Sequence, residues 1–429
     1  MIVKDAVCPF CGCLCDDIEV EVDKDRVIAV ANACELGTKK FMGEKRLKNP
    51  ILRDGDRWKD ITCDEAVRYA ADMLLSAERP LLYGWSGTHG EAQCVGVHMA
   101  ELVRGVIDNT SSVCHGPSIL AIQEVGHPGC TLGVVKNRAD LVIYWGANPI
   151  DAHPRHLSRY TRYAEGFFLE NAFRDRKVIV IDVRKTETAN IADEFVQIKP
   201  GGDYAVLSAL RAIVQGKTET IPRTVAGVTR EQLVRVANLC KSAKFGAVFF
   251  GLGLTMTRGK YKNIRNAIEL VSELSRHTKF TISAMRGHYN VYGSNEVNTW
   301  MTGYPFGIDF SRGIAFYNPG ETTAVDILAR KECDAALIVG SDPAAHFPRK
   351  CLEHLAEIPV VQLDPYPNAT TAFCNVQIPV AVTGIDAVGT AYRMDGVPIR
   401  TRQVLSTGYP SDREILLKMY ALMQEAKGQ

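Results

Sequence analysis

The residues best equipped for chemistry stand near the start of the chain. "CPFCGCLCDD" sets Cys8, Cys11 and Cys15 as C-x2-C-x3-C, and Cys34 follows in "NACELG". Four thiolates suit a zinc ion or an iron–sulfur cluster. A zinc ribbon usually presents two C-x2-C pairs, whereas this segment has one pair, a longer gap and a lone distant cysteine. That asymmetric layout favours a [4Fe–4S] cluster, with Cys13 as a spare thiol in the loop. The chain has 13 cysteines, an odd number. Their crowding near the N-terminus points to a metal site rather than a disulfide framework.

A second candidate is "VCHGPS", which sets Cys114 beside His115. A thiol there could be a nucleophile, half of a disulfide, a metal ligand or plain packing, since cysteine is among the most buried residue types. Six residues alone do not choose between these. No Ser-His-Asp signature, no G-x4-GK[ST] phosphate loop and no H-E-x-x-H motif is present, which argues against a hydrolase, a P-loop ATPase and a zinc protease. His277 and His288 do not have the spacing of a metal motif.

The elements that must position these residues read as α/β. The 429 residues are 46% hydrophobic and 23% charged, ordinary for a globular protein with two or three domains. A net charge of +1 gives no basic excess for nucleic acid or an anionic membrane surface. No apolar run reaches about 18 residues, so no spanning helix is expected. "MIVKDAVCPF" lacks an apolar signal core and a twin arginine, so a cytoplasmic location is expected. "DEAVRYAADMLLSA" has helical periodicity, and Thr62 with Glu65 fits a capping box. "PLLYGWSG", "ADLVIYWGANP", "KVIVIDVRKT", "GAVFFGLGLT", "AALIVGSDPAA" and "VVQLDPYPN" are short apolar runs ending in glycine, proline or aspartate. Buried parallel strands of doubly wound sheets look like this.

One unit is repeated. "VIYWGANPIDAHP" (142–154) echoes "ALIVGSDPAAHFP" (336–348), and each is followed by a strand ending in an acid, Asp182 or Asp364. Both continue through "TA" to a short "VQI" and a proline. Strand carboxyl ends in open α/β sheets bind ligands, and a strand-end acid commonly takes a ribose hydroxyl. Two such copies predict two similar nucleotide-like ligands, although α/β domains also repeat such turns without a ligand.

In order along the chain, the cysteine cluster, "RLKNPILRDG", the "WG-x-NP…HP" turn and the "D-x-R-x-T-x-TA…AD…PG-x-D" stretch resemble the molybdopterin oxidoreductases of the formate dehydrogenase and dimethyl sulfoxide reductase type. The likeness spans about residues 5 to 400. "CPFCGCLCDDIEV", "VCHGPS", "GVVKNRADLVIYWGANPIDAHPRHLSRY" and "GTAYRMDGVPI" are most similar to the catalytic subunits of formylmethanofuran dehydrogenases. The resemblance implies a [4Fe–4S] domain over residues 1–55 and two interleaved doubly wound domains. One would be 136–285, the other 56–135 with 286–429, each binding a pyranopterin guanine dinucleotide. Longer members carry a C-terminal β-barrel, for which a chain ending at "LLKMYALMQEAKGQ" has no room. The resemblance therefore implies a small β-barrel pterin-binding partner, together with amidohydrolase-like and ferredoxin-like subunits.

The same resemblance implies roles for residues. Cys8, Cys11, Cys15 and Cys34 would hold the cluster, and Cys114 would bind W or Mo. His115 would carry a proton, and Arg286 in "AMRGHYNVYG" would offer fixed charge to CO2 or formate, with His288 and Asn290 as weaker candidates. Gly84, Gly146, Gly251 and Gly340 would let backbone approach the cofactors. Asn148, Asp182, Arg184, Asp342 and Asp364 would contact them. Lys39 or Lys40 would lie between cluster and pterin. The implied activity is two-electron reduction of CO2 to formate, opening methanogenesis from CO2. The alternatives are another pterin oxidoreductase, such as a formate dehydrogenase, or a non-catalytic electron-transfer subunit of the same fold.

Overall fold

The computed structural model describes residues 1–43 and 46–428. Ten strands form two parallel cores: β1 (Pro80–Gly84), β2 (Val106–Asn109), β3 (Leu141–Trp145), β4 (Lys177–Asp182), β5 (Glu194–Gln197), β6 (Phe245–Phe250), β7 (Lys279–Ala284), β8 (Ala335–Val339), β9 (Val360–Leu363) and β10 (Val376–Ile378). The chain divides into two compact units. Unit 1 is Met1–Val113, His288–Arg393 and Pro398–Gln429; unit 2 is Cys114–Gly287 and Met394–Val397.

Unit 2 holds a five-stranded sheet in the order β5-β4-β3-β6-β7, parallel throughout. The strands read as continuous apolar runs because both faces are covered. On one face Ile143, Trp145, Ile179, Ile181, Val248 and Phe250 pack with helices Asp203–Val214, Arg230–Ser242 and Tyr261–Leu274. Each such side chain contributes about 1.5–3 kcal/mol on burial. On the other face the ring of Tyr144 stacks on Phe249, and His156 meets Phe249 edge-on.

Unit 1 holds a nine-stranded mixed sheet. Its parallel centre runs β10-β9-β8-β1-β2, with antiparallel strands at both edges. Leu82, Leu337 and Val361 face helices Cys63–Ser76, Gly90–Leu102 and Asp412–Lys427. Leu81, Ala336 and Val360 face Ala324–Arg330 and Arg349–Leu355. The Thr62–Glu65 capping box opens the helix Cys63–Ser76 as its sequence predicts. A separate antiparallel sheet of Ile2–Ala6, Ile18–Asp23 and Arg26–Ala31 carries the cysteine loop between its first two strands.

The two parallel centres share one topology. β3, β4, β5, β6 and β7 correspond in order to β8, β9, β10, β1 and β2, with the sequence order permuted. The chain changes direction beside β3 and beside β8, the point at which α/β sheets bind ligands. The expected limits differ from the observed ones at several points, and unit 2 also takes in Arg286, Gly287 and Met394–Val397, which were expected in the other domain. Helix Gly116–Val125 packs on Tyr261–Leu274 through Ala121, so unit 2 begins at Cys114 rather than at residue 136. Strand Ile51–Asp54, expected within the domain of residues 1–55, pairs antiparallel with β10 and joins the large sheet. Among the described residues no helix is long and apolar enough to cross a membrane.

Candidate active site

In unit 1 the cysteine loop folds back on itself. The Cys8 amide donates to the Cys15 carbonyl at 2.8 Å and the Leu14 amide to the Cys11 carbonyl at 3.1 Å, with Leu14 at a left-handed φ of 39°. Cys34 caps helix Glu35–Phe41, its sulfur accepting from the Gly37 amide at 3.4 Å. A Cβ at Gly37 would lie 3.0 Å from the Cys8 Sγ and 3.6 Å from the Cys34 Sγ, so glycine keeps the space between these thiols open. Burial, then the Cys15, Cys11 and Cys34 thiolates, push the Cys8 pKa up. The Cys8 sulfur thus lies within electrostatic reach of the other three, and holding them ionised together needs a cationic group. A hydrogen bond from the fully buried Cys13 lowers the Cys11 pKa. Among the described residues no three His, Cys, Asp or Glu side chains close on a single metal ion.

The structure separates the two lysines that follow. Lys39 is exposed and pairs with Glu35 at 2.6 Å. Lys40 is half-buried, with its Nζ 5.2 Å from the centre of the Tyr366 ring. Burial lowers the Lys40 pKa, and the charges of Asp364 and Cys8 oppose that shift. Asp364 in turn is pushed up to about 6 by burial, against the Tyr366 amide and Lys40. Lys40 therefore links the cysteine loop to the carboxyl end of β9.

Unit 2 brings Cys114, His115 and Arg286 together. His115 is the N-cap of helix Gly116–Val125 and is buried against Phe250. Its Nε2–H donates to the Met285 carbonyl at 3.1 Å, so its Nδ1 accepts from the Ser118 hydroxyl at 3.2 Å. Burial and then the Arg286 charge hold its pKa down to about 3, which makes the imidazole neutral. Cys114 is half-buried, and its carbonyl accepts from Thr255 Oγ1 at 3.0 Å. Burial pushes its thiol to about 11, while Arg286 pulls the other way. Arg286 is buried just after β7, and its carbonyl accepts from His153 Nε2 at 2.9 Å. The opposite ring nitrogen of His153 is buried without a hydrogen-bond partner among the described residues. Asn290 braces unit 1 instead, taking the Tyr392 amide at 2.7 Å and donating to the Thr88 carbonyl at 2.9 Å.

The strand-end residues are placed at matching turns, but several are used by the protein itself. Gly146 and Gly340 have left-handed φ values of 54° and 55° and donate to the Ile181 and Leu363 carbonyls, each at 2.9 Å. A Cβ at Gly146 would lie 2.7 Å from the Gly253 backbone, and one at Gly251 would lie 2.5 Å from the Gly146 carbonyl. At Gly84 it would lie 2.2 Å from the Val339 carbonyl. Backbone crossing alone therefore requires these glycines. Asn148 Oδ1 accepts from Thr188 Oγ1 at 2.7 Å, and Asp342 Oδ1 from Thr370 Oγ1 at 2.6 Å, each tying one turn to the next. Asp182 and Asp364 each accept the amide two residues on, that of Arg184 at 3.2 Å and of Tyr366 at 3.0 Å, as in Asx turns. The Arg184 side chain is exposed. Val183 and Leu252, also exposed, follow β4 and β6 and leave apolar surface at the strand ends.

Two parallel cores carry paired strand-end turns, and one of them also carries a cysteine–histidine–arginine group. Residues 46–408 match the family model "Molybdopterin oxidoreductase". The chain is 51% identical over 422 residues to the B-type subunit of tungsten-containing formylmethanofuran dehydrogenase 2 of Methanocaldococcus jannaschii, covering 97% of each. It is 47% identical to the protein of that name in Methanococcus maripaludis, covering 99% of this chain and 100% of that one. In fold it is similar to a chain of the formyltransferase/hydrolase complex of Methylorubrum extorquens, solved with methylofuran. The TM-score is 0.72 at 19% identity, covering 89% of this chain and 100% of that one. The chain thus belongs to the molybdopterin oxidoreductases, within the family of B-type subunits of formylmethanofuran dehydrogenases, and is an oxidoreductase.

Proposed function

We propose that this chain reduces CO2 to formate as the catalytic subunit of a formylmethanofuran dehydrogenase. Cys114 and two pyranopterin guanine dinucleotides would hold tungsten, or molybdenum, and Cys8, Cys11, Cys15 and Cys34 would hold a [4Fe–4S] cluster. The observation that carries the reading is the placement of Arg286, whose charge reaches both Cys114 and His115. The likeness to relatives named as tungsten-containing supports tungsten. The space kept by Gly37 supports the cluster.

The bound metal group supplies the two-electron chemistry, CO2 with two electrons and one proton giving formate. The protein supplies charge and proton control. Arg286 orients the carboxylate that develops and stabilises its charge in a site shielded from water. His115 is neutral, with Nε2–H fixed on Met285, so its unprotonated Nδ1 would act as the acceptor for a proton relayed through the Ser118 hydroxyl, as formate oxidation, the reverse direction, requires. Formate would then pass to an amidohydrolase-like subunit, with a small β-barrel subunit completing the pterin sites and ferredoxin-like subunits feeding electrons.

The test is analysis of the purified complex. About one tungsten or molybdenum, two guanine nucleotides and at least four irons per chain are expected, with turnover that depends on methanofuran. Iron without tungsten, molybdenum or guanine nucleotide would favour the non-catalytic reading. Formate turnover indifferent to methanofuran would favour a formate dehydrogenase.

Lys40 gives an internal contrast. Lys40→Met is expected to slow dye-linked turnover about tenfold, because it removes a half-buried charge that couples the cluster loop to Asp364. Lys39→Met should leave the rate unchanged, since its pair with Glu35 is exposed. Equal rates for the two variants would remove Lys40 from the electron path.

A further inference from the structure

The amino ends of the unit 2 strands lie opposite the candidate active site. Leu141, Lys177, Phe245 and Lys279 begin β3, β4, β6 and β7 at that end, with the last two strands starting one residue ahead of the first two. Between β3 and β4 the chain makes an irregular excursion, "YTRYAEGFFLENAFRDR", over residues 160–176. It exposes four aromatic rings within eleven residues: Tyr163 at 48%, Phe167 at 76%, Phe168 at 56% and Phe173 at 49%.

This excursion is held tightly. Arg176 is fully buried and donates from Nε to the Ala139 carbonyl at 2.8 Å, and from its other nitrogens to Ala164 at 2.9 Å, Lys136 at 2.8 Å and Thr161. The Phe167 amide donates to Asn137 Oδ1 at 2.9 Å. A Cβ at Gly166 would lie 2.1 Å from the Lys136 carbonyl, so the backbone there is in tight contact. A buried guanidinium bonded only to carbonyls is costly unless its geometry is fixed. Here the fixed geometry presents apolar rings to water.

The surroundings are basic. Over residues 136–140 and 160–177 and at the strand starts, the exposed cations are Lys136, Arg138, Arg174, Lys177, Lys244 and Lys279. The exposed acids there are Glu165 and Glu170. Both Asp140 oxygens are occupied by the Lys244 and Phe245 amides at 2.9 Å, and Asp175 accepts the Asn171 amide. Arg138 lies over Phe168 at 4.5 Å, beside a cavity of about 530 Å³ that Asp140, Lys244 and Lys279 also line. The chain as a whole carries only +1, so this charge is local.

We propose that this surface docks a second protein subunit of the same enzyme complex through an acidic face with an apolar centre. Rigid exposed aromatics flanked by arginine are the composition of interface hot spots. The four rings expose roughly 400 Å², about half of one side of a standard interface. The cavity receives a side chain of the partner, a role that a lipid surface does not need. The proposal rests on the reading of this chain as one subunit of a complex.

Oxidative footprinting of the intact wild-type complex should show Tyr163, Phe167, Phe168 and Phe173 protected, and exposed once the complex is dissociated by salt. Phe167→Ser/Phe168→Ser and Arg138→Glu/Lys279→Glu should weaken retention of one subunit by about 30-fold or more, with metal and iron content per chain unchanged. Full exposure of the rings in the intact complex overturns the proposal, whether or not the variants fold. Wild-type subunit composition in folded variants also overturns it. So does binding to phosphatidylglycerol vesicles that is lost in the variants without loss of a subunit, which would assign the surface to a membrane. A wild-type chain that purifies alone removes the complex itself, a failure distinct from these.

Discussion

Cys114→Ser is expected to lower turnover by about three orders of magnitude or more while the visible absorbance and iron content of the complex persist. In the protein alone burial holds the Cys114 thiol at about 11, so Arg286 by itself leaves about one thiolate in ten thousand at neutral pH. A soft cation bonded to the sulfur would keep it deprotonated. Serine offers a hard and far less acidic oxygen in the same volume. The substitution spares the fold. Cys114 is half-buried, and the contact that places it is made by its carbonyl to Thr255, not by its sulfur. His115 keeps both ring partners, Met285 and Ser118. The measurement is turnover of the purified complex beside its tungsten, molybdenum and iron content. Full activity in the serine variant would falsify the metal-ligand role.

The strands that carry the site were legible wherever they were apolar along their whole length. "VIYW", "VIVID", "VFF" and "ALIV" are β3, β4, β6 and β8, and both faces of each are covered. Two outer strands of the parallel centres escaped the pattern. β7, "KFTISA", alternates with Lys, Thr and Ser, and β2, "VIDN", is four residues long and ends in a buried acid and amide. Neither presents an apolar run, although tertiary context buries most of both. The repeat was also legible, because each copy uses the same turn after its strand and the same tie back to a threonine.

The site was legible in its residue types and less so in their reasons. The glycines at 84, 146 and 251 suggested room for a cofactor, yet the backbone passing beside each already requires them. Such crossings join residues far apart in sequence and leave no local mark. Lys39 and Lys40 are adjacent letters, but Glu35 four residues before Lys39 was the available signal, because an i,i+4 pair marks a solvated helix face. Ser118 stands three residues after His115, one helical turn on, and meets the ring nitrogen that carries no proton, whereas the Met285 carbonyl fixes the proton on the other. His153 and Arg176 act on carbonyls of distant segments, and nothing in their own neighbourhood announces it.

Arg286→Gln is the substitution with the next largest expected effect, a fall in turnover of about 100- to 1,000-fold, as when a donor to developing negative charge is removed from an enclosed site. Glutamine keeps some hydrogen bonding but loses the charge. Lysine keeps the charge but loses the planar fork, so Arg286→Lys should recover part of the rate. The backbone is not the cause of the loss, because His153 holds the Arg286 carbonyl in every variant. Two routes to the loss can be told apart. The Arg286 charge lowers the pKa values of both Cys114 and His115, so its removal moves both upward. Burial is the larger cause for His115, however, and a ring that starts at about 3 stays neutral at working pH after the change. The pH–rate profile of Arg286→Gln should therefore keep its shape while its height falls. An acid limb displaced upward by more than about one pH unit would show that Arg286 acts by keeping His115 neutral. Turnover within about threefold of wild type, with metal content unchanged, would remove Arg286 from the chemistry, because an enclosed cation that stabilises the reacting charge cannot be lost so cheaply.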